Sequence, residues 1–279
     1  MGALDSLYLE SASHWAPFYA IMQRELGNTA TLLGFGNQKG AGLATATTWT
    51  GRKFHASGLS PVWTPSEALS AFDTPFDLKP ESNWQGYAPV LLLNGTDEEA
   101  DTPDAAYWTR TLTAFSVGAW VNLTVATGLT TILAKFERPT GTEVREWWFG
   151  LDEGRLFLEV WDETANANIG RLDATALSAG AWYFVLATYS GGTTSASVKL
   201  YKGDVQEDDS NREVGVFVQM QDTAALVRLG HILGTAGTAS NFLTAKTLGG
   251  PWSPFFVQAE STAAQITNIY QEMRLGLGV

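Results

Sequence analysis

The chain has 279 residues, 45% of them hydrophobic, which is enough for a full core, and 29 acidic against 17 basic residues give it a formal net charge of -12. That charge argues against a nucleic-acid partner, because a phosphate backbone would be repelled. The absence of cysteine removes disulfides and thiolate metal sites.

Charged residues make up only 16% of the chain, and 28 glycines and 11 tryptophans point to short strands joined by turns. The N-terminal stretch has no basic segment followed by an apolar one, and no 18-residue apolar run is present. The expectation is therefore no secretory signal and no membrane partner.

Residues 1–87 are poor in strand periodicity and read as an irregular N-terminal arm or small accessory segment. Within it, residues 13–25 predict a short helix after Pro17, with Phe18, Ile21 and Met22 on one face and Leu26-Gly27-Asn28 as its stop. Pro61, Pro65, Pro75 and Pro80 then space an aromatic-bearing stretch through Trp63, Phe72, Phe76 and Trp84. A run at residues 34–40, GFGNQKG, has neither nucleotide-loop spacing nor a surrounding βαβ unit, and reads as a loop.

From residue 88 onward, strand-length runs alternate with turns, and the segment 88–271 predicts an antiparallel β-sandwich followed by a tail at 272–279. Phe115, Val117, Ala119, Val121 and Leu123 recur at period two, as do Leu156, Leu158 and Val160 after the turn Asp152-Glu153-Gly154. Residues 182–189 are apolar on both faces, which predicts a central strand. Gly191-Gly192 turns the chain toward a hairpin partner at 195–201.

The order of these runs resembles the laminin-G-like family of concanavalin-type jelly rolls. The motifs that carry the resemblance are VLLLNGTDEEADTPD (90–104), FSVGAW (115–120), TILAKFE (131–137) and WWFGLDEGRLFLEV (147–160), then LSAGAWYFVLATYSGG (177–192) with VKLYKGDVQ (198–206). VRLGHI (227–232) and the stretch from Phe255 through AQITNIY (264–270) take the places of the family's later strand and its closing strand and turn. The resemblance implies an all-β jelly roll and a non-enzymatic binding or structural module. No cofactor is expected; laminin-G-like modules often bind calcium at the sandwich rim, and for such an ion Asp97 and Asp101 are the candidates among the acidic residues of the 97–104 turn.

Related jelly rolls include glycosidases whose carboxylates recur at i, i+2 and i+4 on one strand face. Here the nearest stretch is Glu159-Val-Trp-Asp-Glu163, and its middle position is Trp161, so the catalytic pattern is broken. His14, His55 and His231 lie in separate regions with no metal-ligand spacing, and no G-x-S-x-G elbow exists. No catalytic residue is assigned.

Trp147, Trp148 and Trp161 are the candidate glycan contacts, because an aromatic face pairs with the C–H face of a pyranose. Trp15, Phe18, Tyr19, Trp63 and Trp84 are the candidate partner contacts of the arm. Together these features lead to the expectation of a virion structural protein, made in the host cytoplasm and displayed on the virion surface. In that role it would be a capsid decoration or cement protein of a bacteriophage, an oligomer bound through its arm to the major capsid protein and to itself. The alternative is a carbohydrate- or protein-binding adhesion module of a tail or cell surface.

Overall fold

The computed structural model describes residues 22, 24–26, 30–32, 49–50, 52–53, 62–65, 90–97, 99–248 and 254–277. Met22 and Arg24–Leu26 are helical, and the rest of the helix expected at 13–25 lies outside the described residues.

In chain order the strands are β1 (Ala30–Leu32), β2 (Trp49–Thr50), β3 (Arg52–Lys53), β4 (Val62–Pro65), β5 (Val90–Asn94), β6 (Ala100–Thr102) and β7 (Phe115–Leu123). They continue with β8 (Leu129–Glu137), β9 (Val144–Asp152), β10 (Arg155–Asp162), β11 (Ala167–Asp173), β12 (Trp182–Tyr189), β13 (Val198–Lys202) and β14 (Val205–Gln206). The last are β15 (Asp208–Asn211), β16 (Val227–Leu229), β17 (Ile232–Leu233), β18 (Ala239–Ser240), β19 (Thr244–Leu248) and β20 (Phe255–Val257), and a helix at Ala263–Leu277 follows.

These strands form an all-β sandwich of two sheets. The first runs β14-β13-β12-β7-β20-β1-β3, with β19 pairing both β5 and β7; the second runs β15-β11-β10-β9-β8-β16-β6-β4-β2, with β17 on β8 and β18 on β17. All the registered pairs are antiparallel except β17 with β8. Residues 1–87 supply edge strands to both sheets, β1 and β3 to the first and β2 and β4 to the second.

The period-two pattern sorts side chains as the sequence predicts. Phe115, Val117, Ala119, Val121 and Leu123 of β7 all enter the core between the sheets, whereas Trp120 points the other way. Strand β12 is central, paired with β7 and β13, and sends Val185, Ala187 and Tyr189 inward and Phe184 and Leu186 outward. Gly118 of β7 is dictated by a close approach, since a Cβ there would lie 2.5 Å from the Phe255 ring.

Ile266, Ile269 and Met273 of the C-terminal helix cover the outer face of the first sheet, together with Met22 and Leu26. Thr262 and Gln265 open that helix with reciprocal side-chain to backbone hydrogen bonds, a capping box. The family resemblance implies a closing turn at 264–270; the structure instead has this helix, continuous through Leu277, because Ile266, Ile269 and Met273 recur at helical spacing on an apolar sheet. Among the described residues no helix is long and apolar enough to cross a membrane.

Candidate functional site

The outer face of the second sheet brings aromatic and charged side chains together. Strand alternation on β8–β11 sends Phe136, Trp148, Phe157 and Leu172 to this face, while Trp147, Phe149, Leu156 and Leu158 go to the inter-sheet core. The rings form a floor: Phe136 and Trp148 have centroids 5.0 Å apart, Trp148 and Phe157 5.2 Å, and Phe136 and Trp161 5.8 Å.

Two arginines lie over this floor. The Arg145 guanidinium is 4.2 Å from the centroid of the Trp161 ring, and that of Arg212 is 4.6 Å from Phe157. Arg145 is held by a two-point pair with Glu163, at 2.6 and 3.0 Å, and donates to Asn166 Oδ1 at 2.8 Å. Arg212 donates to Glu159 at 2.6 Å and to Asp152 at 2.5 Å. Burial works against its charge, but Glu159 and Asp152 outweigh that and hold its pKa above the usual arginine value.

Glu159 has both oxygens engaged, one by Arg212 and the other by the Trp161 indole N–H at 3.0 Å. Of the Glu159-to-Glu163 stretch, Asp162 points away from the face and accepts backbone N–H groups of Ala165, Val218 and Gln219. The acids here thus position arginines and loops. The arrangement sets a half-buried tryptophan among fixed donors and acceptors.

The three tryptophans singled out as glycan contacts part company. Trp147 and Trp148 are not exposed, contrary to expectation. Trp147 sits in the inter-sheet core against Phe115 and Phe256, because as neighbours in β9 the two tryptophans must face opposite sides. Trp148 reaches the outer face but is covered there, its indole N–H donating to Thr131. Trp161 is half-buried as a residue, with Arg145 over its ring and Phe136 against it.

Of the arm residues expected to meet a partner, Trp63 is fully buried in the inter-sheet core, on β4, and is not available to another molecule. Trp15, Phe18, Tyr19 and Trp84 lie outside the described residues. Asp97 is exposed and accepts from Asn94 at 2.7 Å, whereas Asp101 faces the Arg228 guanidinium at 2.6 Å, where a cation would be repelled. Among the described residues no three His, Asp or Glu side chains are grouped to hold a metal ion. Sequence spacing gave no warning of Arg145, Glu159 and Arg212 as one group, since they come from β9, β10 and the segment after β15. The only local signal was a cation set among aromatics in a strand pattern.

With this geometry in place, comparison with known proteins is informative. Residues 94–231 match a laminin-G-type family model described as the concanavalin A-like lectin/glucanases superfamily. That match covers just under half of the chain. The chain resembles the binding domain of botulinum neurotoxin serotype D, with a TM-score of 0.55 and 13% identity, over 91% of this chain and 53% of that one. It also resembles a type C botulinum neurotoxin structure, whose cell entry is described as dependent on two ganglioside molecules, with a TM-score of 0.53 and 12% identity over 90% of this chain and 53% of that one. At such identity the likeness shows the fold, and this chain spans about half the length of those toxin chains. No curated protein sequence matches the chain.

Proposed function

We propose that this protein is a non-enzymatic recognition module that binds carbohydrate on the outer face of its second sheet. The observation that carries the reading is Trp161: a half-buried residue whose indole lies under the Arg145 guanidinium, with Glu163 and Asn166 fixing that guanidinium, so that an aromatic group and directional polar groups meet at one place. The lectin-containing superfamily and the fold shared with toxin binding domains support it.

The test is a glycan array followed by calorimetry on the full chain. A bound glycan should lose about thirtyfold in affinity in Trp161→Ala, the effect of removing a ~2 kcal/mol aromatic anchor, and none in Val205→Ala, an exposed position on β14. Equal binding by Trp161→Ala and the parent, or no retention of any glycan, would sink this reading.

A second reading places the module on a virion surface, as a capsid decoration subunit in contact with the major capsid protein and with further copies of itself. It is supported by Val214, Val216 and Val218, which expose 59%, 79% and 58% of their surface in one short segment, an apolar row that favours burial against a partner. Mass spectrometry of purified particles tests it. Tens to hundreds of copies per particle support the placement, and absence from particles overturns it.

A further inference from the structure

A second group of ionisable side chains lies on the second sheet, away from Trp161. Asp101 of β6 and Arg228 of β16 are direct cross-strand partners. Arg228 donates to Asp101 Oδ2 at 2.6 Å and to Glu137, at the end of β8, at 2.7 Å. The fully buried His231 ring stacks on Phe242, and its Nδ1 lies 3.3 Å from the Leu229 carbonyl oxygen. Its Nε2 lies 3.2 Å from Arg228 Nη1, 3.3 Å from Glu99 Oε2 and 3.4 Å from Asp101 Oδ1.

These contacts conflict unless a proton is placed among them. A bare lone pair on Nε2 suits the arginine but faces two carboxylate oxygens. An N–H on Nε2 suits the carboxylates but points at a guanidinium, and puts two cations side by side. A proton on Asp101 Oδ1 resolves most of this: the neutral acid is a donor toward Nε2, its other oxygen still accepts from Arg228, and the Nδ1–H donates to Leu229, which leaves Glu99 Oε2 as the one acceptor still facing the bare ring nitrogen.

We propose that folding moves one proton from the His231 imidazole to the Asp101 carboxyl, so that this cluster fastens β6 to β16 equally well on either side of mild acidity. The charged and titratable groups facing the pair are Arg228, which donates to Asp101 and to Glu137, Glu137 itself, and Glu99, whose Oε2 lies 3.3 Å from Nε2. Burial, against the pull of Arg228, pushes the Asp101 carboxyl up to about 6. Burial and then Arg228 bring the imidazole down to about 3.

The signs follow from linkage. The raised Asp101 contributes stability that is full below its unfolded value near 3.8 and lost as pH rises through about 6. The lowered His231 contributes stability that is present above 6.5 and lost as pH falls toward about 3. Between roughly pH 4 and 6 the two slopes oppose each other, because folded and opened chains bind the same single proton at different atoms.

Removing either partner should expose the other's slope. The experiment is urea unfolding of the full chain from pH 4 to 7, with each variant read as a difference from the parent. On acidification from 6 to 4, Asp101→Asn should lose folding equilibrium by about tenfold per pH unit, and His231→Gln should gain it at about the same rate. Slopes of the same sign, or parallel curves, overturn the proposal. Carbon and nitrogen NMR of the parent chain provides the second measurement. The Asp101 carboxyl should titrate near pH 6 while the His231 ring stays neutral with its proton on Nδ1; an imidazolium at His231 beside an ionised Asp101 overturns the assignment.

Discussion

Replacing Lys135 with methionine tests how the fold tolerates a charge inside the sandwich. Lys135 and Glu146 are both fully buried and directly paired. The ammonium also donates to the Thr223 carbonyl at 2.5 Å and lies 3.1 Å from Asp104, while Glu146 accepts the Thr223 N–H at 2.7 Å and its hydroxyl at 2.9 Å. Methionine fills the space of the lysine stem but leaves Glu146, among the described residues, with Thr223 as its sole donor residue. Breaking a buried pair from one side costs about 3–5 kcal/mol, which in a chain of this size lowers Tm by about 10 °C.

The pH dependence is an independent check. Burial already raises the Glu146 pKa, opposed chiefly by Lys135, and without the lysine it rises further. A raised folded-state pKa gives stability at low pH that is lost as pH rises, so the deficit of Lys135→Met should be smaller at pH 5 than at pH 7. Urea unfolding at both values measures it, with Lys135→Met/Glu146→Gln recovering about 1–2 kcal/mol by removing the stranded charge. A loss under about 1 kcal/mol, or a deficit that does not shrink at pH 5, would refute the reasoning.

Asp162→Asn should cost about 1–2 kcal/mol at pH 7, because the carboxylate accepts N–H groups from Ala165, Val218 and Gln219. Burial pushes the Asp162 pKa up but these donors outweigh it and the net shift is downward, so the advantage exists above the ordinary carboxylate value and fades as pH falls through the lowered one; chemical denaturation across pH 2–7 should show the two curves converging in acid. Gly150→Ala should destabilise the chain by more than about 3 kcal/mol, since a Cβ there would stand 2.2 Å from the Thr130 carbonyl oxygen, a backbone atom held in the β8–β9 ladder. A well-folded Gly150→Ala variant with unchanged unfolding would show that the two strands can separate at that point.

The sandwich was legible where one strand face is apolar, as in β7, β10 and β12, because the period of two survives in the sequence whatever the partners are. It was not legible in β8, where Ile132 and Leu133 are consecutive and both enter the core. Register shifts at Thr131/Leu133 and Lys135/Phe136 break the alternation, and the second lies where the buried lysine meets its acid. The tryptophan pair shows the same limit from another side. Composition marks Trp147 and Trp148 as unusual, but only the pairing of β9 with both β8 and β10 decides that neither is open to a ligand. The edge strands at 30–65 carry no periodic signal, being two to four residues long, and their place is fixed by partners far away in the chain.

That placement governs the order in which the molecule can be made. Residues 30–32 pair with β3 on one side but find their other ladder partner at 255–257, so synthesis from the N-terminus leaves that second pairing waiting until residue 257 has emerged. Strand β7 likewise waits for β20 to cover residues 116–118, the part of its second edge that β19 does not pair. A product stopped short of residue 255 would expose that edge and the apolar surface beside it, so early termination should yield aggregating fragments instead of a smaller working sandwich.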